Sequence, residues 1–233
     1  MPWWYDTLAV AQTLKLRDQF MVTTFVETGC FRGINLKFWS YRFDNVIGVD
    51  KSEAYANTTR QRCNDRRQVS VYHNDSAAFL RSFVLAYRAA RRTDIPFLYL
   101  DAHFYDPAER WVVKRELREL QGFPQCIIAI HDFQVPNEPD LGHLIYDGEP
   151  LSFAVVRDDL AAINPDFSYY TNSREWSVVH TAESISGLPG LTPDADTLET
   201  IVYHHRDWRK YRGILYCTPT PLDLCHYQLR ELQ

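Results

Sequence analysis

FVETGCFRGINLKFWSYRFDNVIGVD, residues 25–50, is the stretch that decides the fold of this chain. A run of β-formers, Val22 to Val26, reaches Glu27 and passes at once into Thr28-Gly29-Cys30-Phe31-Arg32-Gly33, so a strand meets a glycine-bearing turn. Ile34, Phe38 and Trp39 then recur at helical spacing, and a second strand, Asn45 to Val49, closes on Asp50. The pattern predicts a βαβ unit with an acid at the tip of its second strand.

Such a unit favours one kind of ligand. Glycines let backbone approach a bound molecule, the following helix offers free N–H groups, and a carboxylate at the next strand tip can accept from two ribose hydroxyls. The spacing is E-x-G-x-x-x-G, not G-x-G-x-x-G, and no Lys-Ser/Thr pair follows Gly33, so neither the dinucleotide fingerprint nor a phosphate-binding P-loop is matched. A nucleoside without a pyrophosphate fits better.

Working outward, strand and helix keep alternating. Thr7 to Phe20 reads as a helix before the first strand, with the aromatic segment Trp3-Trp4-Tyr5 ahead of it. Ser52 caps a helix running to Asn64, Val69 to His73 is a third strand, and Ala77 to Arg92 a long amphipathic helix. Phe97 to Leu100 is the fourth strand, Ala108 to Gln121 a helix, and Cys126 to Ile130 the fifth strand. Nearly continuous apolar strands alternating with helices predict a parallel sheet covered on both faces. Beyond Gln134, Val135 to Pro150 reads as a loop, Leu151 to Asn164 as a helix, and Phe167–Thr171 and Gly213–Cys217 as strands six and seven. The intervening Ser173 to Arg212 is long for a connection and is expected to carry a hairpin at Trp176 to Thr181.

Ligands of open α/β sheets sit outside the carboxyl ends of the strands. Five successive strands here end in groups that are costly to bury unpaired: Glu27, Asp50, Asp75, Asp101 with His103, and His131 with Asp132. A scaffold alone has no need of them.

Composition bounds the rest. With 233 residues, 45% hydrophobic and 24% charged, the chain suits one sizeable core. We therefore expect a single domain over residues 1–233: an N-terminal segment to 21, a ligand-binding core over 22–133, and a remainder over 134–233 carrying the loop, the last strands and the 173–212 insertion. The net charge of −5 gives no basic footprint for nucleic acid, and the arginines between Arg60 and Arg92 are more cheaply explained as solvated helix faces. No apolar run has membrane-spanning length and no signal peptide is visible. Five scattered cysteines without a C-x-x-C pair argue against a disulfide framework, so a reducing, cytoplasmic setting is expected.

These motifs carry a family resemblance. Glu27 to Gly33 followed by Val46-Ile47-Gly48-Val49-Asp50 resembles motifs one and two of class I S-adenosylmethionine-dependent methyltransferases, in the branch that opens E-T-G-x-x-x-G or E-I-G-x-x-x-G. Asp101-Ala102-His103 and Ile128 to Asp132 resemble the D-x-H and h-H-D of small-molecule and sugar O-methyltransferases, a group that includes macrolide-sugar enzymes and cephalosporin-hydroxylase-like proteins. The matches span residues 22 to 133. Two departures stand out: Phe123-Pro124-Gln125 replaces the usual Pro-Gly-Gly, and the second acid before the fourth-strand His is absent.

The resemblance implies a Rossmann-like, seven-stranded, mostly parallel sheet with an antiparallel last strand and helices on both faces. It implies S-adenosylmethionine as cofactor, with Glu27, Thr28, Gly29, Gly33, Asp50, Lys51, Asp75, Ser76 and Asp101 as its contacts, Asp75 with Ser76 standing where adenine is recognised. It implies methyl transfer to a hydroxyl of a small molecule or sugar. For that chemistry His103 or His131, with Asp101, could take the acceptor's proton, or Asp101, His131 and Asp132 could hold Mg²⁺. Two other readings stay open: a divalent-metal hydrolase using Asp101, His103, His131 and Asp132, and a binding protein of the same fold without turnover. Homo-oligomerisation, like the identity of the acceptor, has no signature in the residues.

Overall fold

The computed structural model describes residues 7–103, 105–108, 110–173 and 212–232. In chain order these form α1 (Thr7–Gln19), β1 (Thr24–Thr28), α2 (Ile34–Trp39), β2 (Asn45–Asp50), α3 (Glu53–Arg62), β3 (Val69–His73), α4 (Ser76–Ala89) and β4 (Phe97–Leu100). There follow the short strands β5 (Tyr105–Asp106) and β6 (Arg110–Trp111), then α5 (Val112–Glu119), β7 (Ile127–His131), the short β8 (Ile145–Tyr146) and β9 (Glu149–Pro150), and α6 (Phe153–Ile163). The chain closes with β10 (Ser168–Thr171), β11 (Ile214–Thr218), a single 3-10 turn at Leu224–His226, and β12 (Arg230–Glu231).

The main sheet runs β12-β10-β11-β7-β4-β1-β2-β3. β3, β2, β1, β4 and β7 are parallel, while β11 is antiparallel to both β7 and β10. This is the expected mostly parallel, Rossmann-like sheet of the class I methyltransferase fold, with strand seven inserted antiparallel beside strand five. An eighth strand, β12, adds to the β10 edge. At two residues it is too short to leave a period in the sequence.

Alternation along the central strands divides the core into two layers, because successive side chains of a strand point to opposite faces. Phe25, Phe97, Tyr99, Ile127 and Ala129 join Trp39 and Phe43 on one face. Val26, Leu98, Leu100, Ile128 and Ile130 meet Leu80 of α4, Leu117 of α5 and Leu160 of α6 on the other. Every residue of β1, β4 and β7 is buried, as strands covered on both sides must be.

Three local readings change. The fourth connection does not enter a helix at Ala108: Pro107 disfavours helical backbone at Asp106, the chain makes the β5–β6 ladder, and α5 starts only at Val112. The segment Val135 to Pro150 is not all loop, since Asp147 and Gly148 both take positive φ (51° and 78°) and close the β8–β9 hairpin as a two-residue turn. That Asp-Gly pair was a hairpin signal available in the sequence. His131, placed after the fifth strand by sequence, is its last paired residue, opposite Ile214. Trp3-Trp4-Tyr5, the hairpin expected at 176–181 and nearly all of the 173–212 insertion lie outside the described residues.

Candidate functional site

The turn after β1 is shaped by sterics. Gly29 sits at φ 73°, and a Cβ there would stand 2.5 Å from the carbonyl oxygen of Asp101, so only glycine lets this turn cross the tip of β4. Gly33, at φ 72°, would bring a Cβ to 2.5 Å from Cγ2 of Thr59. Between them Phe31 also takes a left-handed conformation (φ 46°) and its N–H donates to Oδ2 of Asp50 at 2.8 Å. The other oxygen of Asp50 accepts from the Ser52 N–H at 2.8 Å. Asp50 thus ties two loops together, and each oxygen retains a second lone pair.

Glu27 is 3% exposed. Its Oε1 accepts from Nδ2 of Asn35 at 2.9 Å, and its Oε2 has no hydrogen-bond partner among the described residues. Burial drives its pKa well above the ordinary carboxyl range; the Asn35 hydrogen bond opposes this, and the charges of Asp101 and Asp50 reinforce it.

These strand ends enclose a cavity of about 670 Å³, a size that suits a cofactor. Of the expected contacts, Glu27, Gly29, Gly33, Asp50, Lys51, Ser76 and Asp101 line it, joined by His103. Thr28 and Asp75 do not. Thr28 is buried, and its Oγ1 accepts from the Asp101 N–H at 3.2 Å. Asp75 caps α4 by accepting from the Ala78 N–H and pairs with Arg115 at 3.2 Å. Phe31 and Tyr55, which sequence reasoning passed over, present a T-shaped ring pair to the same cavity with centroids 4.4 Å apart.

A second cluster forms where β4 and β7 end. Their register pairs Leu100 with Ile130, so Asp101 and His131 leave adjacent parallel strands at the same level. Oδ1 of Asp101 lies 2.9 Å from Nδ1 of His131 and 2.5 Å from Nε2 of His103, and the two ring nitrogens are 3.5 Å apart. His131 is buried and edge-on to the ring of Tyr99. Asp132 follows in a left-handed turn (φ 57°) that brings its Oδ2 to 3.1 Å from Nε2 of His103 and its Oδ1 to 3.1 Å from Nε of Arg212. Arg212 enters from the start of β11, 80 residues along the chain, and no local signal marked it. Burial alone would raise both carboxyl pKa values, but His131 and then His103 hold Asp101 well below the usual range, and the same two rings with Arg212 hold Asp132 low. Burial lowers the His103 pKa, and Asp101 more than reverses this, so it ends raised.

Besides Arg212, a further functional candidate escaped the sequence altogether. Glu116, on the inward face of α5, is fully buried beside a small space that His103, His131 and Tyr146 also line, and neither of its oxygens makes a well-formed hydrogen bond among the described residues. Burial raises its pKa to about 7, against the opposing pull of the Ser76 and Thr28 hydroxyls and the charge of His103. In sequence it is one of many glutamates in a charged helix.

The Mg²⁺ expected at Asp101, His131 and Asp132 does not fit this geometry. The donors that converge are Asp101, His103 and His131, two nitrogens to one oxygen, while Asp132 sets one oxygen beside Nε2 of His103 and the other beside Nε of Arg212. Magnesium is a hard ion that takes oxygen ligands.

No protein-family model matches the sequence, and no curated protein matches it. Solved structures do. A SAM-dependent methyltransferase from Anabaena variabilis is 18% identical, with 70% of this chain and 72% of that chain covered and a TM-score of 0.44. The methyltransferase domain of bacterial CtHen1-CN is 13% identical over 91% and 97% of the two chains, with a TM-score of 0.48. The cyclase SpnF is 10% identical over 91% and 82%, also at 0.48.

Proposed function

We propose that the chain is an S-adenosylmethionine-dependent methyltransferase that delivers the methyl group to a hydroxyl of a small molecule or sugar. The observation that carries this reading is one cavity lined by Glu27, Asp50, Asp101 and His103 together. When bound, the cofactor supplies a methyl carbon already activated on a sulfonium, so the protein has only to hold, align and deprotonate.

The residues divide those tasks. Glu27 offers a buried carboxyl oxygen without a partner, suited to the ammonium of an amino acid. Asp50 keeps lone pairs for ribose hydroxyls while its backbone contacts fix its orientation. Phe31 and Tyr55 give an apolar surface for a base. The Asp101–His103–His131 cluster borders the same cavity and is where the acceptor hydroxyl gives up its proton.

Calorimetry with S-adenosylmethionine and S-adenosylhomocysteine tests the reading. One equivalent of each should bind, with proton release as Glu27 ionises, and affinity should rise with pH because the empty site favours the protonated carboxyl. If neither ligand binds, the methyltransferase reading fails.

A further inference from the structure

We propose that Asp223, Cys225 and His226 form a surface site that binds one divalent ion of the zinc class. None of the three lines the large cavity, so the proposal goes beyond the methyltransferase reading and does not rest on it.

The backbone sets the arrangement. Asp223-Leu224-Cys225-His226 lies between β11 and β12, with Asp223 capping the 3-10 turn Leu224–His226. The turn is pinned on both sides: Leu222, Tyr227 and Leu229 are buried in the same core layer as Ala9, Val10 and Leu16 of α1, and Leu224 packs against that layer. Three polar contacts reach the same helix. Nζ of Lys15 donates to the His226 carbonyl at 2.7 Å, the Gln228 N–H donates to Oε1 of Gln12 at 3.2 Å, and the Tyr227 hydroxyl donates to Oε1 of Gln19. With its apolar residues turned inward, the segment leaves Asp223, Cys225 and His226 exposed, and one donor atom from each lies within 4.8 Å of the other two.

The donors suit one class of ion. Asp223 divides its oxygens: Oδ1 accepts from the Cys225 N–H at 3.1 Å and closes the turn, while Oδ2 stands 3.7 Å from Nε2 of His226. Tetrahedral zinc, with bonds of about 2.0–2.3 Å, holds its donors about 3.3–3.8 Å apart, so the carboxylate and the imidazole already stand at a chelating separation. A thiolate, an imidazole and a carboxylate together select a borderline ion over Mg²⁺ or Ca²⁺, which take oxygen. On binding, the Cys225 thiol gives its proton to solvent and the sulfur bonds the ion, so thiolate and carboxylate balance the two positive charges. The solvent side leaves a fourth position for water. Among the described residues three such donors meet in one other place, the Asp101–His103–His131 cluster, and that cluster has no sulfur.

This difference makes Co²⁺ the probe, because a thiolate on cobalt gives a near-ultraviolet charge-transfer band that nitrogen and oxygen ligands do not. The other four cysteines, Cys30, Cys63, Cys126 and Cys217, are buried, so the band reports Cys225. Reduced, chelator-treated protein should develop the band to saturation at one equivalent of Co²⁺, Zn²⁺ should abolish it, and millimolar Mg²⁺ should leave it unchanged. Cys225→Ser should remove it. Asp223→Asn, which still caps the turn, and His226→Gln should each weaken Co²⁺ by about tenfold or more, a loss that even residues supporting a metal ligand cause. Zn²⁺ should also slow the labelling of Cys225 by a thiol reagent by at least about tenfold, and His226→Gln should lose that protection. Absence of the band in the unmodified protein overturns the proposal, as does its survival in Cys225→Ser. Parent-like affinity in both Asp223→Asn and His226→Gln overturns it too, since the ion is then held by the thiol alone. S-adenosylhomocysteine should bind the parent and all three variants alike; if it binds none while the band appears as described, the ion site stands and the methyltransferase reading falls.

Discussion

The two halves of the cavity are built on different physical terms. On the β1–β2 side the wall is mostly backbone: glycines at Gly29 and Gly33, a left-handed Phe31, and an Asp50 whose oxygens are already occupied by main-chain N–H groups. On the β4–β7 side it is made of charged side chains from distant parts of the chain: Asp101, His103, His131, Asp132 and Arg212, with Glu116 buried beneath. The first half meets most of its hydrogen-bonding needs without a ligand. The second concentrates ionisable groups, of which Asp101 and His103 reach the cavity while His131, Asp132 and Glu116 are buried, and burying such groups costs stability unless they are fully paired.

The largest effect that would break this comparison is expected where the halves touch. Gly29→Ala adds a Cβ against the Asp101 backbone in a left-handed conformation, which should cost about 2–5 kcal/mol and remove cofactor binding. Chemical denaturation with ligand calorimetry checks it; near-native stability would mean that the turn is more plastic than its contacts imply.

Next in size is the stored cost of the second half. The Glu116 pKa is raised from 4.5 to about 7, so the folded state favours the protonated acid and its contribution is lost as pH rises through about 7. Glu116→Gln should therefore match the parent protein at about pH 3.5, below both pKa values, and gain about 3 kcal/mol relative to it at pH 8, in metal-free solution. Parallel unfolding curves at the two pH values decide; a difference that does not change with pH would place the carboxyl in a better-solvated site.

Asp50→Ala sharpens the account of the first half. Hydrogen bonds to a charged acceptor are worth about 1.5–3 kcal/mol, so S-adenosylhomocysteine should bind at least tenfold more weakly. Asp50→Asn should recover part of that loss, because an amide oxygen still accepts. The smallest expected effect is that of Phe31→Ala. The residue is 48% exposed, and its ring meets only Tyr55 and, at 5.4 Å, the Arg32 guanidinium among the described ring contacts, so stability should hardly move while cofactor affinity falls by about 0.5–1.5 kcal/mol. Equal affinity in that variant would remove the ring pair from the adenine side.

Much of the architecture was legible because it is written in local periods. The β-formers before Glu27, the helical spacing of Ile34, Phe38 and Trp39, and the apolar runs at Phe97 and Ile127 each report their element within a few residues. The glycines and Asp50 were legible for a related reason: a turn that needs positive φ, and a strand tip that needs an acceptor, restrict residue type at fixed spacing. Where the period was too short, as in β12, or where Pro107 redirected the chain, the boundaries shifted.

The sequence by itself determined that this chain folds around a βαβ unit, that its strands alternate with helices, and that acids and imidazoles crowd the strand ends. Only the tertiary structure decided which of those groups meet. Asp75 and Asp101 look equivalent in sequence, yet one caps a helix and binds Arg115 while the other faces two histidines. Glu116 and Arg212 carry no local mark at all and reach the site through the packing of α5 and the pairing of β11 with β7. The physical reason is that secondary structure is set by interactions a few residues apart, whereas the separations that let a carboxylate and two imidazoles act together depend on strand register, and register is settled when the sheet packs.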